Sequence, residues 1–189
     1  MPSALVRYHQ WKVAHVLRSI LDLVDLCALW LARIAALFMA AIAFLMLSEI
    51  FARFLFNHSL GVTWELATYA MAAVISLAAA DTLRNAGHVR VALLLETLPK
   101  RLARLIDILA TILALLIIGF LLMAFADFVW NMFQRGTRSF EPSRIMLWIP
   151  QSFALFGIVM LFLQLLARLV RLTVMGDADL PSEHEEVSR

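Results

Sequence analysis

Several features that are common in soluble proteins are scarce in this sequence. Its 189 residues include one cysteine, Cys27, which excludes a scaffold held together by internal disulfides. Only 16% of the residues are charged, whereas soluble domains carry about 25%. The formal net charge of +2 is too small to favour a nucleic-acid partner. Intrinsic disorder is excluded as well, because it requires low hydrophobicity and 63% of these residues are hydrophobic.

Motifs that would support an enzyme or a bound cofactor are also missing. The chain contains no phosphate-binding glycine loop, no dinucleotide fingerprint and no nucleophile elbow. Its five histidines all lie outside the long apolar stretches, where the ligands of a membrane haem would be needed. They are not clustered as zinc ligands are. We therefore predict a protein that is not an enzyme and that has no cofactor and no metal site.

Long apolar runs are what the sequence does contain. A transmembrane helix needs roughly 20 mostly apolar residues, and four stretches qualify: residues 26–47, 62–83, 105–128 and 145–166. We predict an all-α integral membrane protein whose four-helix transmembrane domain covers residues 26–170. Arg33 lies one or two turns inside the first span, and we expect its long side chain to reach the lipid headgroups. Pro150 falls in the first turns of the fourth span, where proline is tolerated.

Three segments outside the spans have patterns of their own. Residues 1–25 form an amphipathic helix that either lies in the membrane interface or extends the first span with a polar face. Residues 88–98 are too short to cross a bilayer but place leucines on one helical face, which predicts a second interfacial helix. The tail, residues 171–189, is polar and rich in acidic residues towards its end, which is typical of disorder.

The distribution of basic residues predicts the orientation. Four spans place both termini and the middle loop on one side, which carries eleven lysines and arginines, against four on the other side. Because basic residues accumulate in cytoplasmic segments, we expect the termini and the interfacial helix 88–98 in the cytoplasm. Three tryptophans near the opposite face are typical of an aromatic belt: Trp64, Trp130 and Trp148.

The acidic residues of the spans lie close to the predicted membrane faces: Glu65, Asp81, Asp107 and Asp127. Ion-coupled transport uses ionisable groups near the midplane, so we expect these carboxylates to be paired or solvated at helix ends. Asp127 is expected to pair with Arg135 or Arg138, and Asp107 with Arg104 or a nearby basic residue. The pattern favours an accessory or assembly subunit. The alternatives are an independent four-span transporter or channel, and a membrane enzyme, which would need a convergent polar cluster.

Two regions of the chain share a pattern with a known family. They contain Trp64-Glu65-Leu66-Ala67, the sequence LRNAGHVRVALLLETLP that follows span two, and SRIMLWIPQSFALFGIVMLFLQLLARL in the last span. In these segments the chain resembles the small, DctQ-like permease subunit of TRAP (tripartite ATP-independent periplasmic) transporters. The candidate interface or structural residues are Trp64, Glu65, Arg84, Gly87, His88, Arg90, Arg138 and Pro150.

The resemblance implies a role in a three-part uptake system of the bacterial inner membrane. A periplasmic binding protein delivers an organic acid, and a large permease subunit moves it inward on an ion gradient, typically of sodium. The small subunit packs against the large one and extends its scaffold within the membrane lipid. Small residues of span two would offer a face for that contact: Ala67, Ala70, Ala73 and Ala78. The outer arginines would contact an acidic patch of the binding protein or lie solvated near the headgroups: Arg135, Arg138 and Arg144.

Overall fold

Four long helices make up the computed structural model, which describes residues 4–59, 61–85, 99–140 and 143–175. They are α1 (Ala4–Phe56), α2 (Thr63–Arg84), α3 (Lys100–Arg135) and α4 (Trp148–Val170), and a π-helical turn, Arg171–Met175, continues the last one. Each is long and apolar enough to cross a membrane. Within the described ranges the only β pairing is one isolated bridge between Arg138 and Met146. The predicted all-α membrane fold with four spanning helices is confirmed.

The helices differ from the predicted spans mainly at their ends. Helix α1 includes residues 26–47 but continues on both sides, and it is unbroken where the N-terminal segment was expected to meet the first span. Helix α3 is also longer than its predicted span, whereas α4 begins at Trp148, which places Pro150 in its first turn. The predicted interfacial helix 88–98 and the tail beyond residue 175 lie outside the described residues. The position of residues 1–25 in the interface stays a prediction.

Local sequence explains where α3 begins and ends. Pro99 precedes it with extended backbone, and the amide N–H groups of Leu102 and Ala103 bond to the Pro99 carbonyl oxygen. Gly136 ends the helix in the left-handed conformation, with φ 58°, which glycine adopts without a steric penalty. Its N–H bonds to the Phe133 carbonyl, and the next N–H reaches back to Met132, as in a Schellman motif.

The helices run alternately up and down and form a bundle with two polar ends. We call them the Asp25 end, where Asp25 of α1 meets Arg84 of α2, and the Glu65 end, where α1 turns into α2 and α3 into α4. Helix α2 packs between α1 and α4, and α1 also touches α4. Helix α3 packs on α4. The bundle is therefore a three-helix unit with α3 attached along one side.

Small residues bring α1, α2 and α4 close together. The core combines Ala28, Leu31, Ala35, Ala73, Val74, Leu77, Ala80 and Met160. The closest approach is at Gly157 of α4, where an added Cβ atom would lie 2.4 Å from the backbone carbonyl carbon of Ser76. The expectation that the α2 alanines face a partner subunit is wrong for Ala67 and Ala73. Both are buried within this chain, because small side chains are needed where its own helices touch.

Candidate functional site

A buried carboxylate organises the Glu65 end. Glu65 lies in the first turn of α2 and is only 7% exposed. The Tyr69 hydroxyl, one turn further along α2, donates to its Oε1 atom at 3.1 Å, and the Ser143 hydroxyl donates to Oε2. The Ser139 side chain also hydrogen bonds to this carboxylate. Glu65 therefore ties the α3–α4 loop to α2, although the two segments are far apart in sequence.

The α3–α4 loop that Glu65 holds is itself folded back. The Ser139 N–H donates to the Ile145 carbonyl at 2.9 Å, and the Leu147 N–H donates to the Thr137 carbonyl at 3.1 Å. Arg138 sits on this short hairpin with an exposed side chain. Arg135, at the end of α3, and Arg144, in the loop, are exposed as well. The loop thus presents basic side chains outward while its serines face the buried carboxylate.

A second carboxylate of the same end was missed by the sequence analysis. Glu49 of α1 is 5% exposed, and Arg53, one turn later, donates from Nε to Oε1 at 2.7 Å. The hydroxyl groups of Ser59 and Thr63 donate to the same carboxylate at 2.6 and 3.0 Å. Glu49 therefore joins α1 to the start of α2. The available signal was the Glu-Arg pair at i,i+4 just beyond the predicted end of span one.

Asp25 collects donors from two other helices at the opposite end. Gln164 of α4 donates from Nε2 to Oδ1 at 2.7 Å, and Arg171 donates from Nη2 to Oδ2 at 2.6 Å. Arg84 of α2 donates to the Asp25 backbone carbonyl at 3.1 Å and lies 3.6 Å from Asp81. The Asp25 side chain thus joins α1 to α4 and its π-helical continuation, and the Asp25 backbone carbonyl joins α1 to α2. The sequence pattern places position 25 at the end of the amphipathic N-terminal segment and indicates no partner for it.

Asp107 joins α3 to α4 by a salt bridge. Its Oδ1 lies 3.0 Å from Nη2 of Arg168, and only 4% of Asp107 is exposed. The expectation of a paired carboxylate is confirmed, but a pairing with Arg104 is wrong. Arg104 instead donates to the Leu172 carbonyl oxygen at 2.7 Å, at the end of the helix that carries Arg168. Arg104 of α3 and Arg168 of α4 thus each bond across to the other helix. Both contacts depend on the packing of α3 on α4, which sequence spacing does not reveal.

The other expected pairing does not form. Asp127 is exposed, and within the described part of the chain no salt bridge joins it to Arg135 or Arg138. Its backbone carbonyl accepts a hydrogen bond from the Asn131 side chain at 2.8 Å. The physical reason is geometric: Arg135 is eight residues further along α3, more than two turns away, and Arg138 lies beyond the helix end.

The candidate residues predicted from sequence do not form one site. Trp64, Glu65, Arg138 and Pro150 all lie at the Glu65 end, where Trp64 is exposed and Pro150 is half-buried. Arg84 lies at the Asp25 end. The remaining three candidates lie outside the described residues: Gly87, His88 and Arg90. The structure therefore contains two polar clusters, one at each end of the bundle, and both connect helices.

Comparison with known families gives a match over most of this bundle. The family model for the DctQ component of the tripartite ATP-independent periplasmic transporters matches residues 42–174, more than half of the chain. The chain belongs to the DctQ family. It is therefore a small subunit of a TRAP transporter and, with its four apolar helices, a multi-pass membrane protein. Comparison with curated proteins and with solved structures gave no significant match.

The region matched by the DctQ family model contains some of the polar contacts of this chain and omits others. It includes Glu49, Glu65, Asp107 and Arg168, and so the whole Glu65 end and the α3–α4 salt bridge. It leaves out the first part of α1, including Asp25. The Asp25 contacts to Gln164 and Arg171 therefore attach a segment outside the matched region to helices inside it.

Proposed function

We propose that this DctQ-family chain packs against the large permease subunit and extends its fixed scaffold in the bacterial inner membrane. The large subunit then imports an organic acid, delivered by a periplasmic binding protein, on an ion gradient that we expect to be sodium. The main support is the use of the polar side chains. Glu49, Glu65 and Asp107 are buried and bonded to neighbouring helices or loops, an arrangement that stabilises a bundle.

The outward surfaces of the bundle supply the second support. Helix α3 contacts α4 and leaves large apolar side chains exposed along much of its length: Leu105, Leu109, Leu113, Leu116, Phe120 and Met123. Lipid tails and a partner's apolar helices both satisfy such side chains. Helix association in membranes depends on close packing and a few polar contacts. A bundle joined by buried polar contacts, with long apolar outer helices, suits a scaffold subunit.

We further propose that the Asp25 end faces the cytoplasm and the Glu65 end the periplasm. The lysines and arginines of the sequence concentrate in segments predicted on the side of the Asp25 end, and such segments are typically cytoplasmic. Reporter fusions after His58 and after Thr137 should give periplasmic signals, and fusions after Gly87 and after Glu183 cytoplasmic ones. A cytoplasmic signal at Thr137 would contradict this arrangement.

The exposed arginines of the α3–α4 loop are then placed to meet the binding protein. Arg135, Arg138 and Arg144 point away from the buried Glu65 contacts, and an acidic docking surface would complement them. Reversing all three to glutamate should weaken binding-protein docking and leave the bundle folded. Unchanged docking would assign these side chains to the lipid headgroups.

Reconstitution tests the scaffold role directly. Liposomes that contain this chain, its cognate large permease and the binding protein should accumulate the organic acid when an inward sodium gradient is applied. We expect uptake to be lost when this chain is omitted, and to be absent when it is the only membrane subunit. Gradient-driven uptake by this chain alone would refute the proposal and support an independent four-span transporter.

A further inference from the structure

One positive charge of α1 lies apart from every carboxylate that the structure describes. Arg33 is exposed on the outer surface of the helix, among apolar neighbours. Its guanidinium carbon lies 4.8 Å from the centre of the Trp30 ring, one turn earlier. Among the described residues, no carboxylate forms a salt bridge with it. The contact with the ring compensates only part of the hydration free energy that an arginine loses when it leaves water.

The tryptophans of the Glu65 end allow the depth of Arg33 to be worked out. Twenty helical residues rise about 30 Å, the thickness of the hydrocarbon core. Twenty residues after Trp64 on α2 is Arg84, and twenty residues after Trp148 on α4 is Arg168. Both arginines take part in the polar contacts near the Asp25 end, which therefore marks the second face of the hydrocarbon core. Arg84 contacts the Asp25 backbone, so Asp25 marks the same boundary on α1.

Arg33 lies well inside that boundary. It follows Asp25 by eight residues, which places its Cα about 12 Å into the hydrocarbon core. A helix tilt of about 20° reduces this depth to about 11 Å. The side chain leans back over Trp30, which brings the guanidinium one turn, about 5 Å, closer to the boundary. By this count several ångströms of hydrocarbon separate the guanidinium from the headgroups, so an anion at its own depth would meet it more closely than the headgroups that the sequence predicts as its partners.

The surface around Arg33 is shaped for another helix. Exposed residues follow each other at alternating spacings of three and four along one face of α1: Leu26, Trp30, Arg33, Leu37, Ala40, Phe44 and Leu47. That spacing keeps side chains directed at a single neighbouring helix. Leu37 and Phe44 are 71% and 72% exposed, so none of the residues that the structure describes covers this face.

We infer that this face of α1 docks onto a transmembrane helix of the large permease that carries an aspartate or glutamate opposite Arg33. The inference rests on the proposed function and adds the location and the chemistry of the contact. A carboxylate at the same depth would pair with the guanidinium by charge-assisted hydrogen bonds. Lipid fits less well, because its phosphate groups lie at the boundary and not at the depth of the Trp30 ring.

The test co-expresses the cognate permease with a tagged form of this chain and measures how much permease co-purifies with each variant. Arg33→Leu should lower recovery at least tenfold, because the carboxylate would be left buried without a partner. Arg33→Lys keeps the charge and should retain most of the complex, and Arg101→Leu controls for the loss of an exposed arginine elsewhere. A photo-crosslinker at Leu37 should give an adduct with one permease helix, which peptide mass spectrometry identifies.

The outcomes separate this inference from the proposed function. Failure of the wild-type chain to recover the permease would refute the proposed function itself. Full recovery with Arg33→Leu, together with no crosslink from Leu37, would refute the inference alone. If Arg33→Leu loses co-purified anionic phospholipid while permease recovery stays unchanged, the inference is likewise overturned and Arg33 is assigned to lipid. Thermal unfolding of the Arg33→Leu chain alone should match wild type, which shows that lost recovery is not lost folding.

Discussion

The close approach of α2 and α4 makes Gly157 the position where one added carbon should matter most. A Cβ atom there would lie 2.4 Å from the Ser76 carbonyl carbon and 2.5 Å from its oxygen. Ordinary contact between such atoms needs about 3.4 Å or more, so Gly157→Ala forces the two backbones apart by about 1 Å. Backbone atoms of a packed helix cannot move aside as a side chain can, and the core around Leu77 and Met160 would loosen with them.

The cost of Gly157→Ala can be set against the gain from a better helix former. Overpacking a core costs about 1–3 kcal/mol, whereas replacing glycine by alanine within a helix gains up to about 1 kcal/mol. We therefore expect a net loss of up to about 2 kcal/mol in the free energy of unfolding. Unfolding by SDS in mixed micelles, followed by circular dichroism, measures this difference.

Gly119 of α3 provides the matched control. The same substitution there would bring Cβ to 3.3 Å from the Phe162 ring, a side-chain atom that a small rotation moves away. Gly119→Ala should therefore be neutral or slightly stabilising, because the gain in helix propensity meets little steric resistance. If Gly157→Ala proves as stable as Gly119→Ala, the α2–α4 contact has room for a methyl group and close backbone packing at Gly157 is refuted.

Two further predictions concern the polar contacts between elements. Asp107→Leu should destabilise the bundle by about 1–3 kcal/mol, which is less than the loss of a fully buried pair because Arg168 keeps some exposure. Adding Arg168→Leu should recover most of that loss in the same SDS titration. If the double variant recovers none of it, a direct pairing is refuted. Ser143→Ala should speed hydrogen exchange in the α3–α4 loop and leave the exchange of α3 unchanged, because it removes a bond to Glu65. The control Ser152→Ala removes only a bond within α4 and should leave the exchange of that loop unchanged. Equal exchange of the loop in both variants would show that Glu65 does not hold it.

Apolar length predicted the fold because in a membrane protein it reports directly on structure. Backbone groups in lipid must bond within their own segment, so a run of about 20 apolar residues becomes a helix whatever its neighbours are. The ends were less predictable. Residues 48–56 continue α1 beyond its predicted span because Glu49 and Arg53 satisfy each other one turn apart. A polar pair of this kind looks like the end of a span in sequence while it extends the helix in the structure.

The partners of the polar side chains could not be read from sequence. Position along the chain correctly placed Glu65 and Asp107 near helix ends, but the choice of partner depends on which helices touch. Arg168 became the partner of Asp107 because α3 packs on α4, and Gln164 reached Asp25 because α1 also contacts α4. Ala67 and Ala73 of α2 were misassigned for the same reason: small residues indicate close packing but not with which neighbour.

The lengths of the helices separate the bundle into a central and an outer pair. Helices α2 and α4, with 22 and 23 residues, rise about 33–35 Å and match the bilayer. Helices α1 and α3, with 53 and 36 residues, rise about 80 and 54 Å and exceed it. A helix longer than the membrane must tilt or project, and both long helices are the ones with the most exposed apolar surface. On the proposed function, a partner along α1 and α3 would cover surface that lipid alone accommodates poorly, so the same two helices that exceed the bilayer are the ones suited to assembly.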